Sequence, residues 1–231
     1  MEDNSISAEE FENRTSIDPT QFKWNKQLNG TYKIYFNDGN IYFEVTYKNN
    51  ELNGQYKKYY NNGQVMIEAT YKDGKLDGVY KEYNRNGSIE IEEVYKNNEL
   101  NGPYKKYYRN GNLEIDTIYK NDKLNGEYKK YYRNGQIMYD IIYKDGERNG
   151  IYKEYYRDGN LEVDTIYKDD KLNGKYKEYY KNGNIWIDTI YKNDKKDGPY
   201  KEYDEDGELI DYLLYKNDHL VKDYLNGDEY E

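Results

Sequence analysis

The chain has no cysteine, only three prolines and one histidine, and no apolar run near the roughly 20 residues that span a membrane as a helix. Without cysteine there are no disulfides and no thiolate chemistry. Leu, Ile, Val and Phe together are fewer than one residue in five, and the net charge is −10, a composition typical of disordered chains. Tyrosine is the exception, with 34 of 231 residues. The chain is therefore either disordered or uses tyrosine where other proteins use aliphatic residues.

The N-terminal residues 1–22 are acidic and contain no apolar segment of the kind found in a secretory signal peptide. Together with the absence of cysteine, this predicts a cytoplasmic protein. Negative charge disfavours nucleic acid and makes an anionic membrane an unfavourable partner, because both carry the same sign of charge. The charge favours a basic partner instead.

Internal periodicity decides between disorder and order. Two series of glycines begin at Gly30 and Gly39 and recur every 24 residues, without exception, as far as Gly198 and Gly207. Each of these glycines follows Asn or Asp, and three columns of tyrosines keep the same period. Strict recurrence at this length is typical of repeat proteins, so the chain is predicted to be ordered.

Each 24-residue unit is predicted to be a β-hairpin. Asn-Gly between alternating runs is a strong signal for a two-residue type I′ turn, and no run between glycines is long enough for a helix. With Asn62-Gly63 as the turn, Tyr60 faces Val65 and Lys57 faces Glu68.

This register pairs opposite charges across the two strands in seven of the eight units. Such a pair contributes about 0.2–1 kcal/mol, and a one-residue slip would lose every pair and exchange the two faces. In the last unit Lys201 faces Tyr212 instead. The further predicted pairs are Lys33/Glu44, Lys81/Glu92, Lys105/Asp116, Lys129/Asp140, Lys153/Asp164 and Lys177/Asp188.

These features predict an all-β fold, an elongated, twisted, single-layer antiparallel sheet of about eight tandem hairpins. A lone hairpin is marginal in water, so neighbours must stabilise one another. The predicted organisation is an N-terminal cap or disordered segment at 1–27, eight repeats at 28–219, and a degraded half-repeat with an acidic cap at 220–231. Ser7-Ala8-Glu9-Glu10 resembles a capping box, so a short helix is the alternative to disorder there.

No catalytic or metal-binding constellation is visible. Catalysis requires a unique arrangement, whereas nearly every polar residue here is one of eight equivalents. His219 lies in a linker, and the acidic residues 204–208 resemble part of a calcium loop but occupy a hairpin turn. We predict no enzymatic activity, no metal and no cofactor.

The candidate partner-binding residues are assigned to the face that carries Tyr59, where a tyrosine column lies beside the ion pairs. Tyrosine is a good strand former and also a frequent hot-spot residue, so the column has both a structural and a functional interpretation. Trp186, Met66 and Met138 share one repeat position and are placed on the same face. The predicted partner-binding residues are Tyr59, Tyr83, Tyr107, Tyr131, Tyr155, Tyr179, Met66, Met138 and Trp186.

The pattern N-G-x-Y-K-x-Y-Y-x-N-G-x-[IL], as in LNGQYKKYYNNGQV at 52–65 and LNGKYKEYYKNGNI at 172–185, resembles the bacterial variant of the MORN repeat. The resemblance covers residues 28–227, although the Trp usual after the first Gly is Tyr here. Proteins built of such repeats are commonly labelled toxin–antitoxin antitoxins of the YwqK type. The resemblance therefore implies an antitoxin whose partner is a toxin.

Taken together, the sequence predicts a non-enzymatic module that binds another protein, with an antitoxin or immunity role as one form of that function. One alternative is a scaffold that self-associates through exposed sheet edges. Glycan binding and phospholipid binding are further alternatives. The glycan alternative is weakened because the chain has only two Trp, and the phospholipid alternative because one lysine column is largely paired with acids.

Overall fold

A computed structural model describes the backbone of residues 5–7 and residues 27–229 in full. Every regular element in these two ranges is a β-strand, and each 24-residue repeat supplies two of them, which confirms the predicted all-β fold of antiparallel hairpins. The strands are β1 Ser5–Ser7, β2 Gly30–Tyr35, β3 Ile41–Lys48, β4 Glu51–Tyr59, β5 Val65–Lys72, β6 Lys75–Tyr83, β7 Ile89–Lys96, β8 Glu99–Tyr107, β9 Leu113–Lys120, β10 Lys123–Tyr131, β11 Ile137–Lys144, β12 Glu147–Tyr155, β13 Leu161–Lys168, β14 Lys171–Tyr179, β15 Ile185–Lys192, β16 Lys195–Tyr203, β17 Leu209–Lys216 and β18 His219–Asp223.

The strands belong to two compact units. The first unit contains β1 to β8, and within it β2 to β8 follow in chain order, each antiparallel to the next. The second unit contains residues 113–118 of β9 and then β10 to β18, again in chain order and antiparallel. Sequential hairpins therefore build both units.

The two ends of the chain differ from the repeats. At the N-terminus β1 lies parallel to β2, with Ser7 opposite Tyr35, so Ser7 belongs to a strand. Most of the N-terminal cap or disordered segment predicted at 1–27 lies outside the described residues, at 1–4 and 8–26. At the C-terminus β18 is antiparallel to β17, and the Lys222 ammonium then pairs with the Glu229 carboxylate.

The turn predicted at Asn62-Gly63 is a three-residue loop, not a type I′ turn. The Tyr60 N–H donates to the Gln64 carbonyl at 2.8 Å, and the Gly63 N–H donates to the Tyr60 carbonyl at 3.0 Å. In this loop positive φ is confined to Gly63, at 81°, whereas a type I′ turn requires it at both central residues. The glycine is retained because this loop closes through one left-handed residue.

A β-bulge follows this loop and corrects the predicted pairing of Tyr60 with Val65. Tyr59 pairs with Val65 and Lys58 pairs with Ile67, so Met66 is an extra residue on β5. Beyond the bulge, the predicted register holds, with Lys57 opposite Glu68. An extra residue of this kind breaks the alternation of side chains between the two faces.

Type I′ geometry is found at the other end of each hairpin, in segments that sequence reading treated as linkers. Lys48 pairs with Glu51, and the two residues between them, Asn49 and Asn50, have φ of 52° and 68°. Each such turn is bonded to the preceding repeat. In the second unit, for example, the Leu172 N–H donates to Asp194 Oδ1 at 2.7 Å, and the Asp194 N–H donates to the Leu172 carbonyl at 3.0 Å.

The buried residues lie on one face of the sheet, called here the core face and defined by Tyr56, Ala69, Tyr71 and their repeat equivalents. Rings of paired tyrosines pack there, with the Tyr56 and Tyr71 centroids 5.7 Å apart and equivalent pairs in all eight repeats. Tyrosine thus supplies the apolar surface that the composition lacks. In the first unit the buried cluster contains Leu28, Ile34, Phe43, Val45, Tyr47, Leu52, Tyr56 and Ala69.

Candidate functional site

A row of alternating charges crosses the opposite face of each unit. Lys57 on β4 lies directly opposite Glu44 on β3 and Glu68 on β5, so it faces an acid on both sides. We call this the charged face and define it by Lys57, Tyr59, Glu68 and their equivalents. The row contains Lys33, Glu44, Lys57, Glu68, Lys81, Glu92 and Lys105 in the first unit and Lys129, Asp140, Lys153, Asp164, Lys177, Asp188 and Lys201 in the second.

Five of the predicted ion pairs are confirmed within 4 Å. Their N–O distances are 3.8 Å for Lys33–Glu44, 2.9 Å for Lys57–Glu68, 2.8 Å for Lys81–Glu92, 3.9 Å for Lys153–Asp164 and 3.3 Å for Lys177–Asp188.

Two positions of the row differ. Lys129 lies opposite Asp140 in register, but its ammonium lies 2.8 Å from Glu127. Where the pattern ends, the Lys201 ammonium lies 4.8 Å from the ring centroid of Tyr212, so a cation–π contact replaces the ion pair.

The Tyr59 column lies beside this row, as predicted, and its hydroxyls bond to the acids. The Tyr59 hydroxyl donates to Glu44 at 3.4 Å, and the Tyr83 hydroxyl donates to Glu68 at 2.8 Å. Hydrogen bonds from Lys57 and Tyr83 lower the pKa of Glu68 against the opposing effect of burial. Burial, and then the bond to Glu68, raise the pKa of Tyr83 to about 12. The hydroxyls are therefore fixed while the rings remain at the surface.

An exposed aliphatic row on the same face was missed by sequence reasoning. Ile151 and Ile166 lie opposite each other on β12 and β13, and each is 43% exposed. Val79 and Val94 form the equivalent pair in the first unit. The first repeat has Thr31 and Thr46 there instead, with their hydroxyls 3.1 Å apart. The available signal was the column that changes from Thr46 and Thr70 to Val94 and then to Ile118, Ile142, Ile166 and Ile190, whereas the facing column is mixed.

Trp186 lies on the core face, so its predicted position beside Tyr179 is wrong. Its ring lies 5.8 Å from that of Tyr180, and its Nε1 donates to Glu202 at 3.3 Å. Glu202 also accepts a hydrogen bond from the hydroxyl of Tyr200, which is one of the core-face tyrosines. The cause is the bulge, because the extra residue reverses the alternation that sequence reading assumed.

Met66 and Met138 occupy the same bulge position as Trp186 in their own repeats. Each methionine is left out of the pairing with the neighbouring strand. Tyr59 pairs with Val65, the residue before Met66, and Lys130 pairs with Tyr139, the residue after Met138. The structure therefore divides the predicted partner-binding residues between two faces and does not bring the methionines and Trp186 together with the Tyr59 column.

One row on the core face of the second unit begins with Lys130 on β10 and then carries a glutamate on each of β12, β14 and β16. Glu154, Glu178 and Glu202 accept hydrogen bonds from the hydroxyls of Tyr152, Tyr176 and Tyr200 respectively. Their cross-strand neighbours are Tyr139, Val163, Ile187 and Asp211, so none of the three glutamates lies opposite a lysine.

Glu162, next to this row, shows the resulting repulsion. Burial, and then the charges of Glu154 and Glu178, raise the pKa of its carboxyl. Lys181 opposes this shift only in part.

Within the described part of the chain, no group of three or more acidic or histidine side chains could hold a metal ion. No helix in that part is long and apolar enough to cross a membrane.

Comparison with known families finds the MORN repeat variant eight times. The matched segments are residues 28–49, 52–73, 76–97, 100–121, 124–145, 148–169, 172–193 and 196–217. MORN repeats are non-catalytic modules that bind proteins or lipids. No curated protein matches the chain. Because the eight matches cover well over half of its length, the chain belongs to the MORN repeat variant family.

Proposed function

We propose that the chain is a non-enzymatic protein-binding repeat protein and that the charged face is its docking surface. The observation that supports this is the pair Ile151 and Ile166, two aliphatic side chains each 43% exposed beside the Lys153–Asp164 ion pair. Exposed apolar rows on a sheet that is otherwise charge-paired are typical of surfaces buried by a partner.

The chemistry of this face favours a protein over a lipid or nucleic acid. Phosphate-rich partners need unpaired cations, whereas the central lysines of the row lie between acids, as Lys153 does between Asp140 and Asp164. Tyr155, in the adjacent column, adds an aromatic ring of the kind enriched at hot spots. An aliphatic row, an aromatic column and matched charges together fit a protein surface of mixed polarity.

The decisive experiment is affinity capture from the native host with wild-type chain and two variants. Ile151→Thr/Ile166→Thr removes the aliphatic pair but uses residues found at these positions as Thr31 and Thr46. Trp186→Met alters the opposite face and uses the residue found at Met66. We expect one protein captured by wild type and Trp186→Met to be lost with the double variant, after equal far-UV circular dichroism is verified.

Capture that survives the double variant would overturn the assignment of this face. Binding to phosphatidylserine vesicles with no protein captured would overturn the proposal and favour a lipid-binding module. Both outcomes are read from the same purified proteins.

An antitoxin role is the more specific form of this proposal, and it rests on the family resemblance. It places the chain in the cytoplasm with a basic toxin as its partner. Co-expression tests it directly: the chain should restore growth of cells expressing the captured protein, and Ile151→Thr/Ile166→Thr should not. If the captured protein is harmless when expressed alone, the binding role stands without an antitoxin role.

A further inference from the structure

We propose a second binding site, on the core face of the second unit, that takes a lysine or arginine side chain from an extended basic segment of a protein partner. Its anchor, called the pocket below, is the surface cluster of Tyr180, Trp186, Glu202 and Glu205. The site goes beyond the docking surface proposed above, since it lies on the opposite face and recognises a different chemistry.

The pocket combines two aromatic rings with negative charge. The ring centroids of Tyr180 and Trp186 lie 5.8 Å apart, and the two ring planes are inclined by 32°. Trp186 is 39% exposed, so its ring is open to a ligand. The Glu202 carboxylate lies at the edge of Trp186, 3.3 Å from its Nε1. Burial, followed by the charges of Glu202 and Glu205, raises the pKa of Tyr180. Aromatic rings and carboxylates together attract a cation more strongly than either group alone.

The first repeats show how this pocket is filled. Tyr42 and Lys58 occupy the repeat positions of Trp186 and Glu202, and the Lys58 ammonium lies 5.7 Å from the Tyr42 ring centroid and 5.3 Å from that of Phe43. Here the chain's own lysine covers the rings. At Trp186 the equivalent residue is Glu202, so the position that supplies a cation in the first repeats supplies an acid here.

A second native cation is missing from the same pocket. Arg85 covers the ring of Tyr60 at 5.6 Å, and Lys181 covers the ring of Tyr156 at 5.9 Å. Each cation stands 25 residues after its tyrosine, and the residue 25 after Tyr180 is Glu205. Both positions that hold cations over these rings in other repeats therefore hold acids at Tyr180 and Trp186. The pocket is suited to a cation supplied by a partner.

The neighbouring acids set the spacing of the ligand. Glu154, Glu178 and Glu202 lie at the same position of β12, β14 and β16, so successive carboxylates are two strands apart, about 9.6 Å at the usual strand spacing. An extended polyproline II segment advances about 9.3 Å in three residues. Basic residues at every third position would therefore meet one carboxylate each. Among the described residues none of the three acids is in an ion pair, and their hydrogen-bond donors are neutral tyrosine hydroxyls and the Trp186 indole.

The test is fluorescence anisotropy with labelled peptides at 150 mM NaCl. The ligand peptide is (Lys-Ala-Ala)₄, and its control has the same composition with the four lysines at alternate positions. Glu202→Lys supplies the pocket with its own cation, as Lys58 does in the first repeats. Its matched control is Glu147→Lys, which makes the same charge change at a position where the next repeat has Lys171.

We expect the every-third peptide to bind at least tenfold more tightly than its control. Glu202→Lys should weaken it at least tenfold, and Glu147→Lys should change the affinity less than twofold. In a Trp24→Phe background the remaining tryptophan, Trp186, should shift its emission as the peptide binds. Ile151→Thr/Ile166→Thr should leave the affinity unchanged, which separates this site from the proposed docking surface.

Equal affinity for both peptides, or equal loss with both lysine variants, would show non-specific attraction by net charge and overturn the proposal. Absence of binding at 100 µM peptide would also overturn it. Far-UV circular dichroism and the melting temperature of Glu202→Lys serve as folding controls, and Trp186→Met, which keeps the charge and a residue native to this position, gives a second measure of the pocket.

Discussion

Leu76 and Asn98, which stand 22 residues apart, exchange two hydrogen bonds. The Leu76 N–H donates to Asn98 Oδ1 at 2.7 Å, and the Asn98 N–H donates to the Leu76 carbonyl at 2.9 Å. Asn98 is the second residue of a type I′ turn, with φ of 72°, so the turn both closes its own hairpin and binds the preceding one. The same exchange recurs wherever this turn position is Asn or Asp with a described partner, at Leu28/Asn50, Leu100/Asp122, Arg148/Asp170, Leu172/Asp194 and Lys196/Asp218.

Gly74 lacks this side chain, and Gly74→Asn should stabilise the protein. The Gly74 N–H already donates to the Leu52 carbonyl at 2.9 Å, and a Cβ would meet only the Cβ of Glu51, at 3.9 Å. Asn tolerates the φ of 75°, and its oxygen would accept the Leu52 N–H, a gain of about 0.5–1 kcal/mol. Urea unfolding should show a higher midpoint. Gly74→Ala, which adds the strain without the acceptor, should lower it, and a rise in both variants would contradict the hydrogen-bond explanation.

Gly150→Ala should destabilise the protein by more than Gly126→Ala. Both glycines lie within strands at positive φ, 139° and 123°, so both substitutions carry backbone strain of about 1 kcal/mol or more. A Cβ at Gly150 would lie 2.9 Å from the Cβ of Ile142, whereas at Gly126 the nearest atom, on Ile118, is 3.8 Å away. We expect a difference of about 1–3 kcal/mol in unfolding free energy, from the steric overlap. Equal losses would show that backbone strain alone requires these glycines.

Glu93→Thr should stabilise the protein at neutral pH and have less effect in acid. Burial raises the pKa of this carboxyl, and the Tyr95 hydrogen bond only partly opposes the shift. The folded state then holds the proton more tightly than the unfolded state, so the penalty is absent below about pH 4 and grows as the pH rises through the folded-state pKa. Thr is native at the equivalent Thr117.

The measurement is the difference in urea-unfolding free energy between wild type and Glu93→Thr at pH 4 and pH 7. We expect a gain of about 1–2 kcal/mol at pH 7 that shrinks towards pH 4. The reciprocal variant Thr117→Glu should be less stable than wild type, with a larger loss at pH 7 than at pH 4. A gain that is the same at both pH values would assign the effect to packing rather than to charge.

Lys81 and Glu92 should show a small, salt-sensitive coupling. Their charged atoms lie 2.8 Å apart on a face where about a third of each side chain is exposed. A double-mutant cycle with Lys81→Ala and Glu92→Ala should give about 0.2–1 kcal/mol at 50 mM NaCl, because water weakens exposed pairs. In 1 M NaCl the coupling should fall by half or more. A coupling that does not change with salt would point to contact between the aliphatic parts of the side chains.

The repeat length, the two strands per repeat and the Lys57–Glu68 register could all be predicted from the sequence. Period and charge pairing determine them, and both are visible without coordinates. The turns could not be assigned correctly, because Asn62-Gly63 suits both a type I′ turn and a loop with one left-handed glycine. Asn49-Asn50, which forms the true type I′ turn, lacks the glycine that usually marks it.

The candidate site was predictable only in part for the same reason. Predicting that the Tyr59 column lies beside the ion pairs required only the pairing of Lys57 with Glu68, which was correct. Trp186 is the extra residue of the bulge, where the period of two fails, so its face was assigned wrongly. The aliphatic pair Ile151 and Ile166 follows from the same register as Lys153 and Asp164, but the exposure of its side chains could be read only from the structure.

The exchange between each type I′ turn and the strand 22 residues before it has an evolutionary consequence. Loss or duplication of one 24-residue segment, such as residues 148–171, joins two positions that are equivalent in the repeat. The new junction then restores the same backbone exchange, with a turn residue again 22 positions after its partner. Recombination within the gene can therefore change the number of docking positions on both faces while every repeat keeps its neighbours.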